Sequence, residues 1–419
     1  MSYIQHDRNN EQMLIPITLI RGGTSRGFYF EGKNVPKPGE GLEEFLFAVR
    51  GSPDPMGMDG LGGDSVLQSK VAIVAPSKRP DADVDYTFVQ IFPDSPAALT
   101  YRMNCGNISA GVPIFALMKN MVPDVKDGLN TIRVYSTNTK KMMYMTIDVL
   151  NGEARVDGDC AMGGVPGTGS KILVDFREQG GALTGELFPS GNLVDKIKMD
   201  DGTTIDVTIT DMVNPCVFFK AADFGLGLTG LELSNPDGKL TGPHGVQDRL
   251  AELRLKASHL MGWTKMTAEQ SINSTMTGSQ VKAGDVDLVA RFYGAVGYIA
   301  MHTAAPGSGS TCLAAAVAIP GTIPNQVLGN GSLKSGKGGD FTFGHPSGKF
   351  GLHAVPILDH DPNKISYKTL NFPRTARIIC DGTVYIKQTR PADNVSWVEA
   401  DEYAASSFFM LGDTISVQR

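Results

Sequence analysis

Two stretches of this chain repeat one pattern at a spacing close to half its length. Cys105-Gly106-Asn107-Ile108-Ser109 leads into the apolar run Ile114-Phe115-Ala116-Leu117-Met118. Pro306-Gly307-Ser308-Gly309-Ser310 leads into Leu313 to Ile319, which Pro320-Gly321 stops. Gly106 aligns with Gly307, Asn107 with Ser308 and Ser109 with Ser310, each 201 positions apart in 419 residues. Both runs are apolar on nearly all sides, as in helices buried in a core rather than laid on a surface. The match predicts an internal duplication, with each half a β-rich shell around one helix. Pro113 either kinks the first helix or stands near its true start.

The remaining pattern is strand-like. Short runs such as ITLIRG, KVAIVA, YTFVQIF, TIRVYST, MYMTIDVL, TIDVTITD, PCVFFKA, VDLVARFYG, LHAVPIL and TVYIKQ are separated by Gly/Pro/Asp clusters. With 49 glycines and 24 prolines, the composition suits a turn-rich, mainly β chain. The clearest amphipathic helix is GVQDRLAELRLKASHLMGW, where Leu250, Leu253, Leu255 and Leu260 lie among charges.

Bulk properties exclude several function classes. The net charge of −6 and a pI near 5.7, with no dense Lys/Arg run, argue against nucleic acid. An anionic small molecule needs local donors instead, and two helix N-termini supply them through free N–H groups and the positive dipole end. Gly, Ser and Asn are also ordinary N-cap residues, so the patches have a purely structural reading as well. Cys105, Cys160, Cys216, Cys312 and Cys380 are widely spaced with no C-x-x-C pair, which gives no support for a metal site and suits free thiols in a reducing compartment. The polar start MSYIQHDRNNEQ lacks a secretory pattern, no stretch approaches 18 apolar residues, and SVQR is not a peroxisomal address. A cytoplasmic protein without a membrane span is expected.

Six blocks in order then carry a resemblance: RGGTSRGFYF (21–30), QSKVAIVAPSKRPDADVDYTF (68–88), NCGNISAG (104–111), NPCVFF (214–219), GHPSG (344–348) and RTARIICDG (374–382). Together they resemble the PrpF family, within the diaminopimelate-epimerase-like superfamily. The resemblance implies an α+β fold of two pseudo-symmetric halves, each a barrel-like, mostly antiparallel sheet around a central helix, with the active site in the cleft between them. The halves are expected at 1–205 and 206–419, with helices near 106–119 and 308–319 and the last strand free to return to the first half. Family members isomerise small unsaturated di- and tricarboxylates without a cofactor. They include 2-methylaconitate, aconitate, 3-methylitaconate and 4-oxalomesaconate isomerases, and an aconitate-type tricarboxylate ranks first on donor count.

By the same resemblance Lys70 and Cys105 are the catalytic pair. A desolvated lysine can act as base, although bound carboxylates would push its pKa back up and favour a proton-donor role. A lysine at a strand end can also simply snorkel to water. A thiol at a helix N-terminus is shifted towards thiolate, so Cys105 is either a proton carrier or a small residue lining the site. Epimerases of this fold use two cysteines, one per half. Here Pro306 stands opposite Cys105 in the repeat, and Cys312 falls inside the apolar run, so a two-thiol racemase is disfavoured. Cys216 opens an apolar strand and reads as structural.

Expected substrate-binding residues are Arg21, Gly23, Thr24 and Ser25, where glycines admit an anion to backbone N–H groups; Asn104, Gly106, Asn107 and Ser109 at the first helix; Ser308, Gly309 and Ser310 by symmetry; His345, Ser347 and Gly348 by resemblance; and Arg374, with Arg377, as a bidentate carboxylate clamp. His302 departs from what the methylaconitate enzymes lead one to expect. The Gly-rich loop around 51–64 is a candidate cover for the site. Two other readings stay open. Gly225–Gly230 matches G-x-G-x-x-G after a strand, but Pro236-Asp237-Gly238 interrupts the helix that dinucleotide binding requires. A non-catalytic accessory of an aconitase-like enzyme is the other. Oligomeric state is not legible, and a homodimer stays open.

Overall fold

The computed structural model describes residues 5–9, 11–37, 41–93, 98–101, 104–224, 246–263, 273–278, 286–293, 302, 305–346, 348–387 and 415–416. The G-x-G-x-x-G segment and Ser347 lie outside them. The chain divides into two compact units: Met1–Cys160, Gly167–Val174 and Arg374–Arg419 form unit 1, and Ala161–Pro166 and Asp175–Pro373 form unit 2.

In unit 1, β1 (Gln12–Gly22) forms an antiparallel hairpin with β2 (Ser25–Glu31), which runs parallel to β3 (Lys70–Pro76). β3 pairs antiparallel with β4 (Val84–Phe92), β4 parallel with β5 (Gly128–Ser136), and β5 antiparallel with β6 (Lys141–Leu150). In unit 2, β7 (Asp195–Lys198), β8 (Thr204–Met212) and β9 (Asn214–Lys220) are antiparallel neighbours. β9 runs parallel to β10 (Asn273–Gly278), β10 antiparallel to β11 (Leu288–Tyr293), and β11 parallel to β12 (Gly339–His345). β13 (Gly348–Ile357) and β14 (Ser366–Arg374) follow antiparallel. β15 (Ala376–Lys387) then returns to unit 1 and lies antiparallel along the whole of β1.

Read from β15 in one unit and β7 in the other, the pairings run antiparallel, antiparallel, parallel, antiparallel, parallel, antiparallel in both. The duplication expected from two short patches therefore extends through the strand order. The division falls at residues 160–175 and 373–374 rather than at 205–206. A cut between 205 and 206 would sever the β7–β8 ladder, parting Asp195 from Val207 and Lys196 from Asp206. Among the described residues no closed barrel is found, and parallel pairs interleave with antiparallel ones.

The helices sit at matching places. Between β4 and β5 come α2 (Gly106–Ser109) and α3 (Val112–Met118), and between β11 and β12 comes α5 (Gly307–Val317). The expected continuous helix at 106–119 is thus two pieces, separated at Ala110 and Gly111. Pro113 lies in the first turn of α3, where its missing N–H costs nothing. Tyr29 Oη donates to Ile108 O at 2.5 Å, and a Cβ at Gly111 would strike that phenol, so only glycine lets the chain pass. α5 is unbroken, and Leu313 to Ile319 are all buried.

Unit 1 has a further helix that the strand-dominated reading omits, α1 (Leu42–Arg50). Leu42, Phe45, Leu46 and Val49 pack on Ile15, Phe28, Phe30, Val71 and Ile73, with Phe30 and Phe45 edge to face at 5.4 Å. In unit 2, α4 (Val246–Leu260) realises the amphipathic pattern. Leu250 and Leu253 join the core with Ile205, Val207 and Phe219, whereas Leu260 is 45% exposed.

Candidate active site

Lys70 is the first residue of β3, opposite Gly27 of β2 and Gln90 of β4. Its side chain does not snorkel: the residue is only 7% exposed. Its Nζ donates to Gln90 Oε1 and lies 5.5 Å from the Phe88 ring centroid. Burial lowers its pKa below the ordinary 10.5, and charge at Cys105 opposes that shift. Gln90 escaped the sequence reading. Its signal was a lone amide in YTFVQIF, a strand buried throughout.

Cys105 is the N-cap of α2, half-buried, with extended backbone. The residues around it hold the chain rather than reach outward. Asn104 Oδ1 accepts from Cys105 N at 2.7 Å, and its Nδ2 reaches Ser136 Oγ and Met143 Sδ, both at 3.3 Å. The Ser109 hydroxyl donates to Cys105 O at 2.9 Å. Ser310 does the same to Pro306 O at 2.7 Å, which makes Pro306 the structural counterpart of Cys105. Both serines, expected as anion donors, are fully buried and direct their hydroxyls at helix carbonyls.

Asn107 links three segments. Its Nδ2 donates to Thr24 Oγ1 at 2.9 Å and approaches Ser25 Oγ at 3.5 Å, while its Oδ1 accepts from Arg374 Nε at 2.9 Å. Arg374 is 3% exposed, and burial pushes its guanidinium down to about 9, against the pull of Cys105 and Cys160. Arg377 is exposed and faces Arg21 across the ladder, so it forms no clamp with Arg374. Arg21 Nη1 donates to Gly23 O (3.2 Å), Thr375 O (2.6 Å) and Thr375 Oγ1 (2.9 Å), and Gly23 N donates to Thr375 O at 3.0 Å. These groups fasten the hairpin to β15, so the Gly23 N–H expected to meet an anion is already engaged.

The glycines have a steric task. A Cβ on Gly22 would strike Asn107 O, and one on Gly23, at φ +53°, would strike the Asn107 amide with Cγ at 2.7 Å. Gly23→Ala should therefore cost about 1–3 kcal/mol of stability and displace Asn107. Urea unfolding at unchanged slope measures the first, and a shifted Asn107 side-chain amide NMR signal the second.

In unit 2, Gly307, Ser308 and Gly309 open α5. Gly309 is confined by Phe292 and Pro306 at 3.0–3.1 Å from a would-be Cβ, so packing alone favours glycine there. His345 is buried at the end of β12, opposite Gly348, with the Phe343 ring tilted against it at 5.9 Å between centroids and Gly163 beside its Nε2. His302 donates its backbone N–H to Phe292 O at 2.8 Å. Cys216 and Cys312 are core residues, and burial pushes the Cys312 thiol well up. Among the described residues no three His, Cys, Asp or Glu side chains come together as a metal site, and no helix is long and apolar enough to cross a membrane.

The two units differ at the chemistry. Ser25 and Asn214 each open the second strand of a hairpin, so Gly27 corresponds to Cys216, and their parallel partners Lys70 and Asn273 correspond in turn. Both the buried amine and the thiol of the N-cap residue belong to unit 1, and Asn273 and Pro306 stand at the corresponding positions of unit 2.

A duplicated fold of this kind, with a helix start at the centre of each half, is that of the racemases and epimerases. A solved hydroxyproline epimerase from Agrobacterium vitis matches in fold, with a TM-score of 0.51, 11% identity, and 94% of this chain and 98% of that one covered. The chain belongs to the PrpF family: the family model described as PrpF protein matches residues 12–387. It is 36% identical to 3-methylitaconate isomerase of Eubacterium barkeri, covering 91% of this chain and 99% of the relative. It is 35% identical to (4E)-oxalomesaconate Delta-isomerase of Novosphingobium sp. strain KA1 (91% and 99%) and 31% identical to 2-methyl-aconitate isomerase of Cupriavidus necator (90% and 98%). The crystal structure of a methylitaconate-delta-isomerase matches with a TM-score of 0.72 at 34% identity, covering 91% of this chain and all of that one.

Proposed function

We propose that this chain is a cofactor-independent isomerase that moves, or isomerises cis to trans, the C=C bond of a small unsaturated carboxylic acid by allylic proton transfer. The substrate is an aconitate- or 2-methylaconitate-type tricarboxylate, with 3-methylitaconate and 4-oxalomesaconate as the alternatives within the family. The observation that carries the reading is Lys70: a buried amine with a lowered pKa, in electrostatic contact with the residue at the N-cap of α2, Cys105.

In the proposed reaction the neutral Lys70 amine takes a proton from the carbon next to the double bond. The electron pair moves into a dienolate held by the acid's own carboxylate. The same ammonium returns the proton to the far allylic carbon, so atoms and charge balance and no redox partner is needed. Arg374 and the Asn107–Thr24–Ser25 set of unit 1 are the donors proposed for the substrate's carboxylates. Cys105 assists by its charge and its position. A cytoplasmic location and a homodimer belong to the same proposal.

Incubation in deuterium oxide with cis- and trans-aconitate, 2-methylaconitate, 3-methylitaconate and 4-oxalomesaconate, followed by proton NMR, tests it. Isomerisation of at least one acid with solvent exchange at the allylic carbon is the expected result. An unchanged panel with no exchange would sink the reading and favour the non-catalytic accessory.

The pH dependence has a definite sign. A base is active when neutral, so kcat/KM should rise with pH through a midpoint below 10.5. Charge at Cys105 raises the Lys70 pKa, so Cys105→Ala should move that limb to lower pH while slowing the reaction about tenfold. A rate that falls through the Lys70 midpoint would instead assign the amine the donor role.

A further inference from the structure

Gln90 occupies a place that its surroundings determine completely. Its Nε2 lies 3.1 Å from Val66 O, 3.1 Å from Ser69 O and 2.8 Å from Ile91 O. Carbonyl oxygens can only accept, so the NH₂ end of the amide must face them, its two hydrogens shared among the three acceptors. The amide cannot flip without setting its oxygen against three others. Gln90 Oε1 is therefore held towards Lys70 Nζ and can only accept from it. Gln90 is buried, and β4 around it is buried too, so water is a poor substitute for either end.

We propose that Gln90 is the positioning residue of the Lys70 amine: an uncharged, locked acceptor that aims Nζ while leaving it free to exist with or without its extra proton. Both –NH₃⁺ and –NH₂ can donate one hydrogen to Oε1, so the bond survives each half of a proton shuttle. In the neutral state it occupies one N–H and directs the lone pair away from β4. A carboxylate at the same position would hold the amine charged. The other groups that face Lys70 are the Phe88 ring on β4 and the titratable Cys105 at the start of α2; neither is a neutral acceptor. The same amide ties the segment 66–69 to β4, so the approach to Lys70 and its amine are held by one side chain.

This inference rests on Lys70 being the proton carrier, and the test separates the two. Lys70 is titrated directly, without turnover, by pH-dependent labelling with acetic anhydride read by mass spectrometry, in wild type, Gln90→Glu and Gln90→Met. Gln90→Glu should raise the labelling midpoint of Lys70 by at least about one pH unit, a tenfold change in ionisation constant. Gln90→Met keeps the volume and removes the acceptor. It should lower kcat at least tenfold with KM within about threefold, and change the pH profile. Circular dichroism and urea unfolding report whether each variant is folded. Folded variants with an unmoved midpoint and kcat within twofold of wild type would overturn the proposal. A shifted midpoint in a protein whose wild type isomerises no acid would leave Gln90 as assigned and remove the isomerase reading instead. If neither variant folds, the wild type still decides: one glutamine side-chain amide ¹⁵N signal should titrate with the Lys70 midpoint and cease to do so in Lys70→Met. Absence of any such signal overturns the proposal.

Discussion

Lys70→Met should lower isomerisation by about 10²–10⁴-fold, the range that a positioned proton-transfer group contributes, with KM changed far less. Methionine fills the same slot beside Phe88 without an amine, so the loss would report chemistry rather than collapse. Lys70→Arg should not restore activity, because a guanidinium stays protonated and cannot accept the substrate's proton. The stability consequence has the opposite sign. Burial lowers the folded-state pKa of Lys70 below its unfolded value. The unfolded chain thus binds the proton more readily, and the folded state bears a desolvation cost at every pH below the lowered midpoint. That cost fades as pH rises from the lowered midpoint towards 10.5. Lys70→Met removes it, at the expense of a Gln90 oxygen without its donor. Urea midpoints should accordingly depend less on pH in the alkaline range than in wild type. Retention of full activity by Lys70→Met would end the proposed mechanism.

Arg50→Met should cost about 3 kcal/mol or more of stability and reduce activity in the molecules that remain folded. Arg50 is fully buried at the end of α1, and its guanidinium donates to the carbonyls of Asp54, Pro55 (2.5 Å) and Gly63 (2.8 Å) and approaches Ser69 Oγ at 3.5 Å. Removing it strands three carbonyls on half-buried Asp54 and Gly63 and exposed Pro55, at up to roughly 1–3 kcal/mol each, less what water and relaxation recover, and leaves the buried slot of the guanidinium to a thioether. The glycines of this segment fit around the same arginine: a Cβ on Gly62 would come within 2.9 Å of its Nε, and one on Gly57 or Gly60 would strike its carbonyl. Read from sequence, the loop 51–64 was a candidate cover. The structure shows it fastened from within. Because the segment continues through Val66 and Ser69, whose carbonyls hold Gln90, a loosened loop should also misplace Lys70. The urea midpoint at constant slope and the rate per folded molecule are the two measurements. Arg50→Lys should not rescue, since one ammonium lacks the fork that reaches three carbonyls.

Much of the architecture was legible because the features that encode it are local. Gly106/Gly307 and Ser109/Ser310 repeat at one spacing, and each serine makes the same back-bond to its N-cap residue. Pro113 marked a helix start. What was not legible depended on register. Nothing in RGGTS distinguishes an N–H aimed at a ligand from one bonded to Thr375, because that partner lies more than 350 residues away. Arg374 and Arg377 look equivalent in sequence, yet one is buried against Asn107 and the other is exposed.

The sequence by itself determined the duplicated α+β plan, the membership in the family, and the asymmetry of a thiol in one half opposite Pro306 in the other. Tertiary structure decided which polar groups are occupied and which remain for chemistry. Hydrogen-bond partners of Ser109, Ser310, Gly23 and Arg21 are set by strand register and helix entry. It also decided the state of Lys70. Burial lowers its pKa and charge at Cys105 opposes that shift, while the oxygen that accepts from its amine belongs to Gln90, twenty residues away in sequence and directly opposite across the β3–β4 ladder.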